Sequence, residues 1–201
     1  MHKIKERGLI YKKIAIMKEP ALGLIEFKSI AKGIFATDAI VKKAQVRVLN
    51  TNPVCPGKYL VIFAGEVADV DEALKAGLAT GGDMVINDLF LPHLHQDVIP
   101  AISGATKIEK FGALGIIEAF SVASCVAAAD IAAKNAPVQL VEIRLANGLG
   151  GKAFFVMTGE LTDVESSVAA AKDYIKAEGL LAGCEIIAAP HIDLINKGVY
   201  W

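Results

Sequence analysis

Short apolar runs alternate with longer segments of mixed polarity along this chain. The run Ala21-Leu22-Gly23-Leu24-Ile25-Glu26-Phe27 is nearly free of polar residues and has the length of a buried strand. Gly23 inside it marks a point where another part of the protein comes close. Ser29 is suited to cap a following helix. Over 30–44, Ile30, Ile34, Val41 and Ala44 recur at helical spacing and make an apolar stripe with Thr37 as its one polar member. Val46-Arg47-Val48-Leu49-Asn50 begins a second strand, which ends in the turn-rich Asn52-Pro53-Val54-Cys55-Pro56-Gly57. Tyr59 to Ala64 predicts a third strand, Asp69 to Ala79 a helix stopped by Gly81-Gly82, and Met84 to Leu91 a fourth strand. The order is β-α-β-β-α-β, an α/β (α+β) unit of ferredoxin-like type.

The pattern then starts again. Ala113-Leu114-Gly115-Ile116-Ile117-Glu118 repeats residues 21–26, and Ser29, Ala31, Ala36, Asp38, Lys42, Ala44 and Val46 return as Ser121, Ala123, Ala128, Asp130, Lys134, Ala136 and Val138. After a two-residue insertion, Gly57-Lys58, Gly65-Glu66 and Asp69-Val70 are answered by Gly151-Lys152, Gly159-Glu160 and Asp163-Val164. A duplication sets the whole fold. It divides the chain into an N-terminal extension (1–20), a first domain (21–104), a linker (105–112) within the polar stretch that starts near Ser103, and a second domain (113–201).

Composition narrows the function. The chain is 54% hydrophobic and 21% charged over 201 residues, rich for two small domains, which favours association through apolar seams. A formal net charge of −1 and an aromatic content of 6% give no footprint for nucleic acid. Three cysteines without CxxC spacing suit a reducing, cytoplasmic setting rather than a disulfide framework. No apolar run approaches a membrane span. The basic N-terminal twenty residues lack the features of a signal peptide and read as a partner-seeking or disordered extension.

The paired Ala-Leu-Gly-Leu/Ile-Ile-Glu strands, the Asp-x3-Lys-x-Ala helices and the Gly-Lys before the third strand resemble bacterial microcompartment shell proteins. Two such units in one chain are similar to the tandem-domain class. That resemblance implies a homotrimer, a pseudo-hexameric tile that joins other shell proteins in a compartment shell. Asn52-Pro53-Val54-Cys55-Pro56-Gly57-Lys58, with Gly148-Leu149-Gly150-Gly151-Lys152 and Pro100-Ala101-Ile102-Ser103-Gly104, further resembles the iron–sulfur-binding tandem shell proteins of propanediol-utilisation compartments.

The resemblance assigns roles. The loops Pro53, Val54, Pro56, Gly57 and Gly148, Leu149, Gly150, Gly151 would line the central pore. Cys55 would be the metal and cofactor ligand. A lone cysteine cannot hold a cluster that normally takes four thiolates, but three Cys55 thiolates on a three-fold axis would bind three irons of one [4Fe–4S] cluster per trimer. The second repeat has no cysteine there, so ligation is three-fold. The function implied is a shell tile that passes electrons across the shell, with a redox enzyme of the lumen as a possible partner. The alternatives are a metabolite-conducting pore without a cluster and a small-molecule-binding regulator. Lys42 and Lys134 occupy the family's tile-edge position. The arginine of the family's Ile-Pro-Arg-Pro-His run is replaced here by His93 and Ala189, which weakens or alters the expected tile-to-tile contact.

The remaining candidates read as structural. Cys125 stands where the first repeat has Gly33, a packing swap, and Cys184 is filler. Lys152 is followed by Ala153, so the glycine loop departs from the phosphate-binding G-x-x-x-x-G-K-[ST] pattern. His93 and His95 offer an HxH pair without a third ligand, and His95-Gln96-Asp97 recurs as His191-Ile192-Asp193, which points to scaffold. Asp71 and Glu72 are helix-start charges. No nucleophile has a base and an orienting group in a known pattern, so the chain does not read as an enzyme.

Overall fold

The computed structural model describes residues 19–198, so the reading of the extension lies almost wholly outside the described residues. The first repeat contains β1 (Ala21–Phe27), α1 (Ile30–Lys43), β2 (Arg47–Val54), β3 (Lys58–Gly65), α2 (Val67–Gly81), β4 (Val85–Leu91) and a short α3 (Val98–Ile102). The second contains β5 (Ala113–Ala119), α4 (Val122–Asn135), β6 (Gln139–Arg144), β7 (Ala153–Gly159), α5 (Leu161–Ala177), β8 (Leu181–Ile187) and α6 (Ile192–Gly198). Each repeat is an antiparallel four-stranded sheet, ordered β2-β3-β1-β4 and β6-β7-β5-β8, with two longer helices. This is the ferredoxin-like order in duplicate.

Local chemistry explains the element ends. The Ser29 and Ser121 hydroxyls accept from Lys32 N–H and Ser124 N–H, each at 3.3 Å, and so cap α1 and α4. Gly23 faces Phe63 across the sheet, and a Cβ there would stand 2.5 Å from the phenylalanine ring. The close approach predicted at Gly23 is thus real, and its partner is an aromatic ring of β3.

Two expectations change. The second strand does not yield to a turn at Asn52; β2 runs through Val54, because Asn52, Pro53 and Val54 pair with Leu60, Tyr59 and Lys58. And α1 presents Gly33, Ala36 and Ile40 to its own core, while the stripe of Ile30, Ile34 and Val41 lies outward with Phe35. Tyr59 decides this orientation, since its side chain lies where a Cβ on Gly33 would be, at 2.4 Å. The short helices α3 and α6 were not apparent in the apolar spacing.

The first repeat has a core of its own, built on Ile25, Phe27, Ile40, Val61 and Phe63. A larger core crosses from one repeat to the other: Leu22, Leu24, Leu60 and Ile62 on one face of the first sheet join Val122, Val126 and Ala129 of α4. Along the same seam, α3 packs on β6. The repeats are therefore fused through a buried apolar face.

Candidate functional site

The β2–β3 turn carries Cys55 at its tip. Gly57 N–H donates to Val54 O at 3.0 Å and Gly57 takes φ of 85°, a left-handed conformation suited to glycine. Val54 beneath the turn is buried, while Cys55 is half-buried with a free thiol.

The second repeat brings its own loop to this turn. Cys55 N–H donates to Ala146 O at 3.3 Å, and Asn52 Nδ2 donates to Asn147 Oδ1 at 3.2 Å. Gly151 sits so close that a Cβ would lie 3.0 Å from Pro56 Cδ and 3.3 Å from the Cys55 carbonyl oxygen. Pro53, Val54, Cys55, Pro56 and Gly57 thus share one end of the protein with Gly148, Leu149, Gly150 and Gly151. The second loop is longer because β6 stops at Arg144. Gly148, Gly150 and Gly151 all take positive φ, as does Ala146 at 59°. The lysines that follow these turns pair with the first-strand glutamates: Lys58 with Glu26 at 3.4 Å and Lys152 with Glu118 at 2.7 Å.

Among the described residues no group of three or more His, Cys, Asp or Glu side chains could hold a metal ion. Cys55 is the soft donor on the paired loops, of the type that iron–sulfur clusters take. One chain offers one thiolate there, so a cluster fits only where copies of Cys55 converge. The other cysteines lie elsewhere. Cys125 is fully buried in α4, and desolvation, then the nearby Glu26 charge, pushes its thiol pKa well up. Cys184 on β8 lies opposite Ile117 and packs at the margin of the large core.

The histidines do turn work. His95 Nδ1 accepts from Asp97 N–H at 3.3 Å, and His191 Nδ1 accepts from Asp193 N–H at 3.2 Å. Each leads into a short helix, α3 or α6, which explains the recurrence. Asp71 and Glu72 both pair with Lys75, and Glu72 also with Lys43.

Sequence reasoning missed the polar seam. Glu26 is buried and accepts from Ser121 Oγ at 2.7 Å and from Ala123 N–H at 3.0 Å. Asp130 accepts His95 N–H at 2.7 Å and also holds Lys134, whose ammonium donates to the His93 carbonyl. The repeated Glu, Ser, Asp and Lys positions were the available signal. Their copies Glu118, Ser29, Asp38 and Lys42 have no such cross-repeat partners among the described residues: Lys42 meets Asp38 alone, at 2.6 Å.

The same imbalance holds for apolar surface. Ile34 and Phe35 are 55% and 63% exposed, whereas their counterparts Val126 and Ala127 are 0% and 3% exposed. On the second sheet Leu114, Ile116, Phe154 and Val156 correspond to the covered Leu22, Leu24, Leu60 and Ile62, yet join only a small cluster. The α1 stripe is thus uncovered in the single chain, while on the second sheet Leu114 and Val156 are buried with Ile108 and Phe111 beside them and Ile116 and Phe154 are only partly buried.

Comparison with known proteins gives a consistent picture. The BMC domain family matches residues 21–94 and again 113–190. The bacterial microcompartment shell protein PduT of Citrobacter freundii is 42% identical over 171 residues, covering 85% of this chain and 93% of that protein. A crystal structure of a microcompartment protein from Desulfitobacterium hafniense superposes with a TM-score of 0.83 at 47% identity, covering 88% of this chain and 98% of that one. A fused, permuted hexameric shell protein shares the fold, with a TM-score of 0.57 at 22% identity over 78% of this chain and 81% of that one.

Proposed function

We propose that this chain, which belongs to the BMC-domain family of bacterial microcompartment shell proteins, forms a trimeric tile with a [4Fe–4S] cluster at its centre. The observation that carries the trimer is the exposed stripe of α1, whose copy on α4 is buried in the internal seam. If α1 of one chain docks on the second sheet of the next, beside the partly buried Ile116 and Phe154, the internal seam is repeated between chains. Ser29 Oγ and Ala31 N–H would then meet Glu118 of the partner subunit, as Ser121 and Ala123 meet Glu26. Such a contact is heterologous and closes into a ring when the rotation permits; six similar units correspond to three chains.

Ring closure would gather the paired loops around one axis. Cys55 of each chain would hold one iron, leaving the fourth iron for a non-protein ligand. The cluster would supply one-electron transfer, and the tile's role would be to pass electrons across the shell toward a redox enzyme inside. The chain's own contribution is to position the thiolate: Cys55 N–H is tied to Ala146, and Gly151 sits against Pro56. Lys42 and Lys134, both reaching solvent near the seams, are the proposed side-by-side contacts between tiles.

The test is anoxic purification with iron and sulfide counted per trimer and an EPR spectrum, beside Cys55→Ser. About four irons and four sulfides per trimer, lost in the variant, support the cluster. An iron-free wild type after anaerobic reconstitution overturns it and leaves a pore without a cluster.

A further inference from the structure

The difference between the repeats that the tile does not use lies on β6. Glu142 and Arg144 occupy the positions that Asn50 and Asn52 hold in the first repeat, as the strand registers show: Glu142 faces Val156 as Asn50 faces Ile62. Arg144 Nε donates to Glu142 Oε2 at 2.8 Å. The Glu142 side chain is only 8% exposed, and its other oxygen, Oε1, is buried without a hydrogen-bond partner. Leaving a buried carboxylate oxygen unpaired is costly, so this atom marks a place where a donor is missing.

A cavity of about 360 Å³ adjoins the pair, walled by residues 101–104 at the end of α3 and by Val141–Arg144. It has the size of a small-molecule site. The terminal nitrogens of Arg144 make no hydrogen bond among the described residues, and Arg144 also borders a neighbouring cavity of about 250 Å³ beside Asn147 and Leu149. Ser103, which lines the cavity, donates its hydroxyl proton to Ile99 O at 2.8 Å and keeps acceptor capacity.

These groups define a ligand. A guanidinium with free paired nitrogens selects a planar oxyanion, bound through two parallel hydrogen bonds. The adjacent carboxylate disfavours a second negative charge, which argues against phosphate. It asks instead for a hydrogen-bond donor beside the oxyanion. The terminal torsion of a glutamate is soft, so Oε1 can turn from its sealed position to accept.

We propose that this cavity binds a small carboxylate with an adjacent hydroxyl or ammonium, the carboxylate on Arg144 and the donor on Glu142. The site is complete within one chain, one per protomer, and depends on neither the cluster nor ring closure. In the first repeat Asn50 and Asn52 stand in place of this pair, so a tile would hold the Glu–Arg pair at alternate seams.

The experiment is calorimetric titration of the full-length protein with L-lactate, L-alanine and acetate, repeated for Arg144→Gln, Glu142→Gln and Glu142→Asn/Arg144→Asn. Folding of each variant is checked by circular dichroism and size exclusion. Saturable binding of lactate or alanine at one per chain is expected, weakened about tenfold or more in Arg144→Gln, a loss in line with one charge-assisted pair. Acetate, lacking the donor, should bind more weakly than lactate to the wild type, and the gap should narrow in Glu142→Gln, whose amide oxygen is a weaker, uncharged acceptor. Which of lactate and alanine wins identifies the donor as hydroxyl or ammonium. Absence of saturable heat for all three compounds overturns the proposal, as does equal affinity in wild type and Arg144→Gln. If Glu142→Gln fails to fold, the partly exposed Arg144→Gln decides alone.

Discussion

Glu26 on the first strand reaches 2.7 Å from Ser121 Oγ at the first turn of the second repeat's opening helix. One buried carboxylate thus finishes a helix cap that belongs to the other repeat, and Ala123 N–H at 3.0 Å and Lys58 at 3.4 Å complete its partners. Glu26→Ala leaves the Ser121 hydroxyl and the Ala123 amide without this acceptor inside an apolar seam. Hydrogen bonds to a charged group contribute about 1.5–3 kcal/mol each, so a loss of about 3–5 kcal/mol is expected in urea unfolding. Ser121→Ala, which keeps the carboxylate and its amide bond, should lose roughly half of that. Equal and small effects in the two variants would contradict the seam role.

Chain association should depend on the outward stripe of α1. Ile34→Glu places a charge where the next chain's sheet would cover it, and burying an unpaired charge is prohibitive. Sedimentation should show monomers, with circular dichroism unchanged because Ile34 is exposed in the single chain. Glu118→Ala should weaken the trimer less, since Glu118 already has Lys152 at 2.7 Å. A trimeric Ile34→Glu variant would move the interface elsewhere.

The repeat was legible because strand and helix starts recur residue for residue, and β1, β3 and β4 followed directly from short apolar runs. The direction of α1 was not. Two apolar faces compete on that helix, one of large residues (Ile30, Ile34, Phe35, Val41) and one of Gly33, Ala36 and Ile40. Hydrophobicity favours the first for burial, but only the second, with its glycine, admits the Tyr59 ring. On α4 the copy of the large-residue face is buried against the first sheet. The Glu142–Arg144 pair was hidden for another reason. A charged pair on a strand looks like solvated surface until the helix α3, too short to leave a periodic signal, is seen to cover it.

Gly148 and Gly151 should respond unequally to alanine. Both take positive φ, at 72° and 90°, so each substitution carries a backbone cost of about 1–2 kcal/mol. A Cβ on Gly148 meets open space, whereas one on Gly151 presses on Pro56 and the Cys55 carbonyl. Gly151→Ala is therefore expected to lower the melting temperature more. If the Cys55 loop holds a cluster, it should also lower iron retained per trimer, with Gly148→Ala near the wild type. Matching melting temperatures would show that the two loops are not in this contact in solution.

Stability against pH should carry the mark of Glu142. Burial raises its pKa above the ordinary carboxylate value, with Arg144 opposing only in part. In the window between the unfolded and the raised folded pKa the folded state binds more protons than the unfolded state, so stability falls as pH rises through it. Above the window the ionised folded form carries a constant penalty; below the ordinary carboxylate range, with both states protonated, the penalty is gone. Glu142→Gln should accordingly melt higher than the wild type at pH 7 and lose that advantage below about pH 4. A ligand donating to Glu142 would shrink the pH 7 difference. An advantage that persists unchanged to low pH would show that the substitution acts through packing instead.

Thiol chemistry separates Cys125 from Cys55. The thiolate is the reactive form, and Cys125, fully buried and pushed well up by desolvation and Glu26, should resist iodoacetamide at pH 8 for as long as the seam stays closed. Cys55, half-buried at the tip of its turn, should react in metal-free protein within the same exposure. Mass spectrometry of labelled peptides reads both at once. Ser121→Ala offers the informative third sample, because it loosens the seam at the start of the helix that carries Cys125 while leaving the Glu26–Lys58 pair beside the Cys55 turn in place. Labelling of Cys125 should then rise while that of Cys55 holds constant. Rapid labelling of Cys125 in the wild type would mean that the two repeats separate far more readily than their shared core implies.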